Sequence, residues 1–169
     1  MRFLIIFTFL LSNSFANEVP NIKNIVISKE PKKYDNLMFL DVNNKPINLN
    51  DYPGNLILIN FWATWCLPCK EEMPSLDLLQ ENVKLDNLKI FPINVGKDSI
   101  EKSEIFFLDL KIKNLKIYFD SPITLAKKFA LRGIPTSILI NKEGEEFARI
   151  VGSIDFKDKE FIEWLSIYN

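Results

Sequence analysis

The stretch that most constrains this chain is residues 56–74, LILINFWATWCLPCKEEMP. Its first part is apolar except for Asn60, and a short apolar run of this kind is typical of a strand buried on both faces of a sheet. The residues after the two cysteines are mostly good helix formers. The sequence therefore predicts that Cys66 and Cys69 lie where a buried strand ends and a helix begins.

This position favours thiol chemistry at the two cysteines. The first turn of a helix carries free N–H groups and the positive end of the helix dipole, and both stabilise an anion. A cysteine there loses its proton more readily and becomes a nucleophilic thiolate. One alternative is half of a zinc site, but zinc needs further ligands and the chain has no His. Another is a structural disulfide, but the loop that it closes is too short for the disulfide to stabilise the fold much. A redox dithiol is the favoured interpretation.

The composition is that of a folded domain of ordinary size. The chain has 169 residues, of which 47% are hydrophobic and 25% are charged, so one domain with a real core is expected. A formal net charge of −1, without a long basic block, gives no reason to expect a nucleic-acid partner. We also expect the protein to be a monomer.

The N-terminal residues have the layout of a secretory signal peptide. A basic start is followed by the apolar run FLIIFTFLL and by small residues, which predicts a signal peptide over residues 1–16. An uncleaved anchor and a buried N-terminal strand are the alternatives, although the apolar run is short for a membrane-spanning helix. Residues 17–36 are polar and predict a linker or a loosely packed arm. The domain itself is expected over residues 37–169.

Alternating strand and helix patterns over residues 37–169 predict an α/β fold with a mixed sheet. Residues 37–49 have the pattern of a β-hairpin, and Leu76, Leu79 and Val83 have the spacing of one helix face. The predicted elements after the hairpin are a strand at 56–61, a helix at 66–83 kinked by Pro74, a strand at 88–95, a helix from 98 or 99 to 110, a strand at 116–119, a helix from Ser121 and Pro122 to Gly133, strands at 134–140 and 145–151, and a helix at 155–167.

The residues around the cysteines resemble a known family. The segment NFWATWCLPCKEEMP, together with the later Pro135, is similar to the active site of the TlpA/ResA-like family, which are thioredoxin-fold thiol–disulfide oxidoreductases of bacterial extracytoplasmic spaces. The resemblance covers about residues 37–165. It implies a thioredoxin-like fold, in which a central mixed β-sheet is flanked by helices, with an N-terminal β-hairpin and a helix–strand insertion before the Pro135 strand.

The expected chemistry is thiol–disulfide exchange through a mixed disulfide. Cys66 is the expected attacking thiol, because it comes first at the helix start, and Cys69 is the expected resolving thiol. No cofactor is expected besides the redox-active Cys66–Cys69 disulfide. The same atoms serve reduction and oxidation, so the sequence does not fix the direction of electron flow.

Cys69 also needs a base, because a buried thiol resists losing its proton. Thioredoxin itself carries an Asp in the central strand, where this chain has Asn60, which cannot act as a base and is expected to support the active site. Glu72 lies one helical turn after Cys69 and matches a Glu of ResA-like proteins, so the resemblance implies that Glu72 is this base. The alternative is an exposed carboxylate on the helix surface.

The remaining site residues follow from the resemblance. Pro135 is expected in a cis peptide opposite the cysteines, which brings the Ile134 backbone alongside the first cysteine for pairing with an extended substrate chain. A trans Pro at a strand edge is the alternative. Trp65 is expected to shield the disulfide and line the docking surface, and Leu67 and Pro68 are expected to tune the redox potential.

The resemblance implies a thiol–disulfide oxidoreductase that reduces protein disulfides in the periplasm or a similar extracytoplasmic space, soluble or tethered by its N-terminus, as in cytochrome c maturation. The expected partners are disulfide-containing proteins such as apocytochrome c and a membrane electron donor. The alternatives are a dithiol oxidase or isomerase, a peroxiredoxin-like antioxidant and, outside enzymes, a copper chaperone. Both cysteines belong to one CxxC, which disfavours the peroxidase, and the lack of His disfavours copper binding.

Overall fold

An eight-stranded mixed β-sheet forms the centre of the computed structural model, which describes residues 22–169. The strands are β1 (Ile25–Lys33), β2 (Met38–Asp41), β3 (Pro46–Asn48), β4 (Leu56–Trp62), β5 (Leu88–Asn94), β6 (Tyr118–Phe119), β7 (Thr136–Ile140) and β8 (Glu145–Val151). They lie in the order β1-β8-β7-β4-β5-β6-β2-β3. Because β4 pairs parallel with β5 and antiparallel with β7, the predicted mixed sheet is confirmed.

Helices cover both faces of this sheet. They are α1 (Leu67–Leu79), α2 (Ile100–Asp109), α3 (Leu125–Lys128) and α4 (Lys159–Ser166). β4 is buried along its whole length, as its apolar sequence predicts. Its side chains alternate, so that Leu58 packs with α1, α2 and α4 on one face while Ile59 packs with α3 on the other. No helix within residues 22–169 has the length and apolar character that a membrane crossing needs.

The predicted linker over residues 17–36 is wrong for residues 25–33. Residues Ile25–Lys33 form β1, which pairs antiparallel with β8 at the edge of the sheet. Ile25 and Ile27 pack against the core, whereas most of the other side chains of the strand face solvent. An edge strand with one solvated face has few apolar residues, so its composition resembles that of a linker. The expected signal peptide lies outside the described residues.

The helix after the cysteines is shorter than predicted. Pro74 lies inside α1, but the helix ends at Leu79, and Val83 is 92% exposed. The Asn82 side chain accepts a hydrogen bond from the Lys84 backbone N–H at 3.0 Å, and this local bond competes with helical hydrogen bonding. Leu76 and Leu79 are buried as predicted, while Val83 does not face the sheet.

The predicted helix from Ser121 to Gly133 is also wrong at both ends. The Asp120 carboxylate accepts hydrogen bonds from the backbone N–H groups of Thr124, Leu125 and Ala126, and so it caps a helix that starts only at Leu125. The Ser121–Pro122 peptide is cis and lies before this cap. The left-handed residue after α3 is Ala130, with φ of 50°, instead of Gly133.

The predicted insertion before the Pro135 strand consists of α2 and β6. The Ser99 side chain caps α2 by accepting a hydrogen bond from the Lys102 backbone N–H at 3.2 Å. β6 is only two residues long, and it pairs parallel with β5 on one side and antiparallel with β2 on the other. The insertion therefore joins the β2–β3 hairpin to the rest of the sheet.

Candidate active site

The two cysteines lie at the junction of β4 and α1. Cys66 is the N-cap residue of α1, and its Sγ accepts a hydrogen bond from the Cys69 backbone N–H at 3.3 Å. The two form a disulfide with Cα atoms 5.3 Å apart. The N–H groups of the first helical turn that face this sulfur would stabilise a Cys66 thiolate once the disulfide is reduced.

Exposed apolar side chains flank a disulfide that is itself mostly covered. Cys66 is 5% exposed and Cys69 is fully buried, so only the first cysteine reaches the surface. Trp65 is 66% exposed and Leu67 is 65% exposed, and these two are the direct neighbours of Cys66 in the chain. An incoming protein would therefore meet an apolar surface on both sides of Cys66, the more exposed of the two cysteines.

Glu72 is a buried carboxylate, 3% exposed, on the first half of α1. Burial raises its pKa to about 7, and the hydrogen bonds that it accepts from Asn60 and Ile154 partly offset this effect. The Asn60 Nδ2 atom is 2.8 Å from Glu72 Oε1, and the Ile154 backbone N is 3.4 Å from Glu72 Oε2. The alternative of an exposed helix carboxylate is therefore wrong.

A cleft of about 450 Å³ gives Glu72 a route to solvent. The cleft lies between α1 and the segment that follows β8. A hydrogen bond joins this segment to α1: the Phe156 backbone N–H donates to Ser75 Oγ at 3.1 Å. The residues that line the cleft are Glu71, Glu72, Pro74, Ser75, Ser153, Ile154, Asp155 and Lys157. A proton taken up by the Glu72 carboxylate has a path to water through this cleft.

Asn60 lies in the middle of β4, fully buried, at the place predicted for active-site support. Its Nδ2 atom donates to Glu72 Oε1 and also, at 3.0 Å, to Ser137 Oγ on β7. Its buried Oδ1 atom accepts no hydrogen bond from any group of residues 22–169. Ser137 did not emerge from the sequence, because its only link to the site is the strand register that places it opposite Asn60.

Pro135 follows a cis peptide bond after Ile134, so the trans alternative is wrong. The two residues directly precede β7, whose Thr136 pairs with Phe61 near the end of β4. Pro135 is therefore brought to the edge of the sheet from which the chain runs into the CxxC. Its carbonyl oxygen accepts a hydrogen bond from the Gly152 backbone N–H at 2.9 Å, whereas Ile134 is partly exposed.

Asp98 is a site residue that the sequence did not reveal beyond its use as a possible helix cap. Its carboxylate accepts hydrogen bonds from the Thr64 backbone N at 2.9 Å, Thr64 Oγ1 at 2.7 Å, Asn94 Nδ2 at 3.0 Å and Lys102 Nζ at 2.9 Å. Burial alone would raise the pKa of Asp98, but these hydrogen bonds outweigh it and hold the pKa well below its usual range. Since Ser99 caps α2, Asp98 is left to hold the loop before the cysteines.

The same loop packs closely against Gly96. A Cβ atom on Gly96 would lie 2.5 Å from Ala63 Cβ and 3.0 Å from Trp65 Nε1. No side chain fits there unless the loop moves. The insertion and the segment before it thus hold the residues before Cys66 in two ways, through the Asp98 carboxylate and through the close approach of the Gly96 backbone.

Proteins with similar sequences are named for thiol–disulfide chemistry, which agrees with the Cys66–Cys69 site. A model of the AhpC/TSA family matches residues 31–145. The thiol-disulfide oxidoreductase ResA of Bacillus subtilis is 30% identical over 119 residues, which are 70% of this chain and 65% of that protein. The thiol-disulfide oxidoreductase ResA of Bacillus thuringiensis subsp. konkukian is 31% identical over 122 residues, which are 72% of this chain and 69% of that protein. The chain thus spans about two thirds of the length of these relatives.

A solved structure shows the same fold. The thiol:disulfide interchange protein of the thioredoxin family from Chlorobium tepidum TLS superposes with a TM-score of 0.69 at 22% identity, and the match covers 83% of this chain and 98% of that one. The predicted thioredoxin-like fold is thereby confirmed. Because the family model matches more than half of the chain, the chain belongs to the AhpC/TSA family and, within it, to the ResA-like thiol–disulfide oxidoreductases.

Proposed function

We propose that this protein reduces disulfides of protein substrates outside the cytoplasm, with the Cys66–Cys69 pair cycling between dithiol and disulfide. The observation that carries this proposal is the disulfide at the N-terminus of α1, with Cys66 between exposed Trp65 and Leu67 and with Cys69 fully buried. A structural disulfide that closes so short a loop would add little stability, so its position at a helix start favours a redox role.

The first step is attack by the Cys66 thiolate on a substrate disulfide. A bond forms between the Cys66 sulfur and one substrate sulfur, the substrate S–S bond breaks, and the second substrate sulfur leaves as a thiolate that takes a proton from water. The product is a mixed disulfide. In this step the positive end of the α1 dipole and the Cys69 backbone N–H stabilise the attacking thiolate.

The second step, called here the release step, needs a thiolate on Cys69. Glu72 accepts the Cys69 proton, and the Cys69 sulfur then attacks the Cys66 sulfur. The Cys66–Cys69 bond forms, the mixed disulfide breaks, and the second substrate sulfur leaves as a thiolate that takes a proton from water. Two electrons have passed from the dithiol to the substrate. A carboxylate with a pKa of about 7 is suited to take up and return a proton near neutral pH.

The substrate class that we propose is an extended protein segment with a disulfide, and apocytochrome c with its paired haem-attachment cysteines is the specific candidate. Trp65 and Leu67 would contact apolar side chains of this segment. The Ile134 backbone, next to cis Pro135, would pair with its main chain in the way that a strand is added to a sheet edge. A membrane electron donor would then restore the dithiol.

The deciding experiment is the equilibrium potential of the Cys66–Cys69 couple against glutathione, together with reduction of an oxidised peptide that carries a CxxCH haem-attachment motif. We expect a potential below about −200 mV and stoichiometric reduction of the peptide. A potential near about −120 mV, typical of a strong thiol oxidant, would overturn the proposed direction and assign the protein as a dithiol oxidase.

A further inference from the structure

We propose that Asn60 is a positioning residue whose side-chain amide orients the Glu72 carboxylate and turns over when that carboxylate changes its charge. The inference rests on the proposed role of Glu72 as the base for Cys69. Asn60 does not exchange a proton itself, and it acts only through the carboxylate that it contacts.

The geometry shows which contact dominates at the carboxylate. The Asn60 amide donates to Glu72 Oε1 at 2.8 Å, whereas the Ile154 N–H, the one backbone donor to this carboxylate among residues 22–169, is at 3.4 Å from Oε2. Both Asn60 and Glu72 are buried. The amide is therefore the strongest hydrogen-bond donor to the Glu72 carboxylate.

The amide of Asn60 is held in an orientation that leaves one of its own atoms unsatisfied. Its two N–H groups donate to Glu72 and to Ser137 Oγ, while buried Oδ1 accepts no hydrogen bond within residues 22–169. A buried acceptor without a donor is unfavourable. The opposite orientation would bring Oδ1 against an ionised carboxylate oxygen, which is repulsive. The observed orientation is thus the one that suits an ionised Glu72.

Protonation of Glu72 on Oε1 removes this repulsion. A protonated carboxyl has an O–H donor, and Asn60 Oδ1 could accept it only after the amide has turned. The Ser137 hydroxyl can serve both orientations, because it accepts from an N–H and donates to an oxygen. The side-chain amide would therefore stabilise Glu72 as a carboxylate before the release step and as a carboxylic acid after it.

Other charged groups near Glu72 are Glu71 on α1, and Asp155 and Lys157 on the segment after β8, all of which line the same cleft. β4 and β7 contribute the uncharged Asn60 and Ser137. The charged groups contribute to the electric field at Glu72 in every variant below. A difference between a variant and the parent protein thus reports on the amide.

The test follows the Glu72 proton in the disulfide form, where no substrate is needed. With carbon-13 glutamate and nitrogen-15 asparagine, NMR would record the Glu72 carboxyl shift and the Asn60 side-chain amide shifts between pH 4 and 9. We expect both to change with one midpoint in the parent protein. Asn60 amide shifts that stay constant while Glu72 titrates would overturn the proposal, and this arm requires no substitution of Asn60.

Two variants test whether the Asn60 amide is the group that controls the titration of Glu72. Asn60→Ala should raise the Glu72 midpoint by about one pH unit or more, because the main donor to the carboxylate is lost. Ser137→Ala should raise it less, since the bond from Asn60 to Glu72 remains. Equal midpoints for Asn60→Ala and the parent protein would overturn the proposal.

The release step separates this inference from the proposed function. In Asn60→Ala the pH profile of the release step should move with the Glu72 midpoint. If the Glu72 midpoint shifts while the pH profile of the release step stays unchanged, Asn60 does control the titration of Glu72. The proposed role of Glu72 as the base for Cys69 would then be overturned.

Discussion

The Asp98 carboxylate accepts two hydrogen bonds from Thr64, one from its backbone N at 2.9 Å and one from its Oγ1 at 2.7 Å. Thr64 stands two residues before Cys66, and Asp98 belongs to the insertion that carries α2. The insertion is thus more than an addition at the side of the sheet. It fixes the backbone immediately before the attacking cysteine.

Replacing this carboxylate should destabilise the fold. Asp98→Ala removes the acceptor for Thr64, Asn94 and Lys102, and we expect a loss of about 2 kcal/mol or more in the free energy of unfolding. Denaturant unfolding would measure it, with Asp109→Ala, which removes an exposed carboxylate at the end of α2, as the control. Equal losses in the two variants would contradict the anchoring role.

The anchoring should also have a pH dependence with a definite sign. The folded pKa of Asp98 lies below its unfolded value, so its contribution to stability is present above the unfolded pKa and is lost as pH falls through the folded value. The difference in stability between the parent protein and Asp98→Ala should therefore shrink on acidification below about pH 4. Denaturant unfolding from pH 7 to 2 would record it.

Gly96 should tolerate no side chain. In Gly96→Ala the new methyl group would lie 2.5 Å from Ala63 Cβ, so the loop before the cysteines has to move, and we expect a loss of about 1–3 kcal/mol. Gly133→Ala is a matched control, because a Cβ there meets nothing within 4 Å. Thermal unfolding of both variants would measure the difference. A fully stable Gly96→Ala would show that the loop moves without cost.

The two cysteines should differ in what they trap. Cys69→Ala should accumulate mixed disulfides with an oxidised protein substrate, because the release step is lost, whereas Cys66→Ala should accumulate none. Mass spectrometry of the adducts under non-reducing conditions would identify the cysteine involved. Adducts on Cys69 in the Cys66→Ala variant would show that the roles are exchanged.

Glu72→Gln should slow the release step near neutral pH by about tenfold or more, since no base then takes the Cys69 proton. The attack by Cys66 should change little, because the start of α1 stabilises its thiolate. Stopped-flow fluorescence from Trp65 across pH 5 to 9 would separate the two steps. Glu81→Gln, a change at an exposed carboxylate beyond the end of α1, should leave both rates unaltered.

Glu72→Gln should also stabilise the disulfide form of the protein as the pH rises towards neutral. The folded pKa of Glu72 is raised from 4.5 to about 7, so the folded protein binds the proton more tightly than the unfolded chain does. Stability is therefore full below the unfolded value and decreases as pH rises towards 7, by up to about 3 kcal/mol. Glu72→Gln lacks this decrease, so its advantage over the parent protein should grow between pH 4.5 and 7 in denaturant unfolding.

The sequence predicts the residues of the site better than the contacts between them. The junction of strand and helix at Cys66 follows from local hydrophobic pattern and helix propensity, and Glu72 follows from its spacing after Cys69. The bonds from Asn60 to Ser137 and from Thr64 to Asp98 join residues 77 and 34 positions apart. Such pairs depend on strand order and register, which local patterns do not encode.

The secondary structure shows the same difference between what local patterns predict and what distant contacts decide. The hairpin, the central strand and the last two strands follow from alternation and turn residues. The errors at Val83 and at Ser121 arose where an Asn or Asp side chain bonded to nearby backbone groups in place of a helical turn. β1 was not predicted because pairing with β8 stabilises it, and its own apolar content does not.

Pairing of Ile25–Lys33 with β8 also protects the sheet from other copies of the chain. Without β1, the outer edge of β8 would present free N–H and C=O groups, which invite a strand of a neighbouring molecule to add and start aggregation. β1 is made before the other seven strands and β8 after them, so β1 has no partner in the sheet until synthesis is almost complete. Shortening the protein to residues 37–169 would expose that edge permanently, and loss of solubility is the expected price.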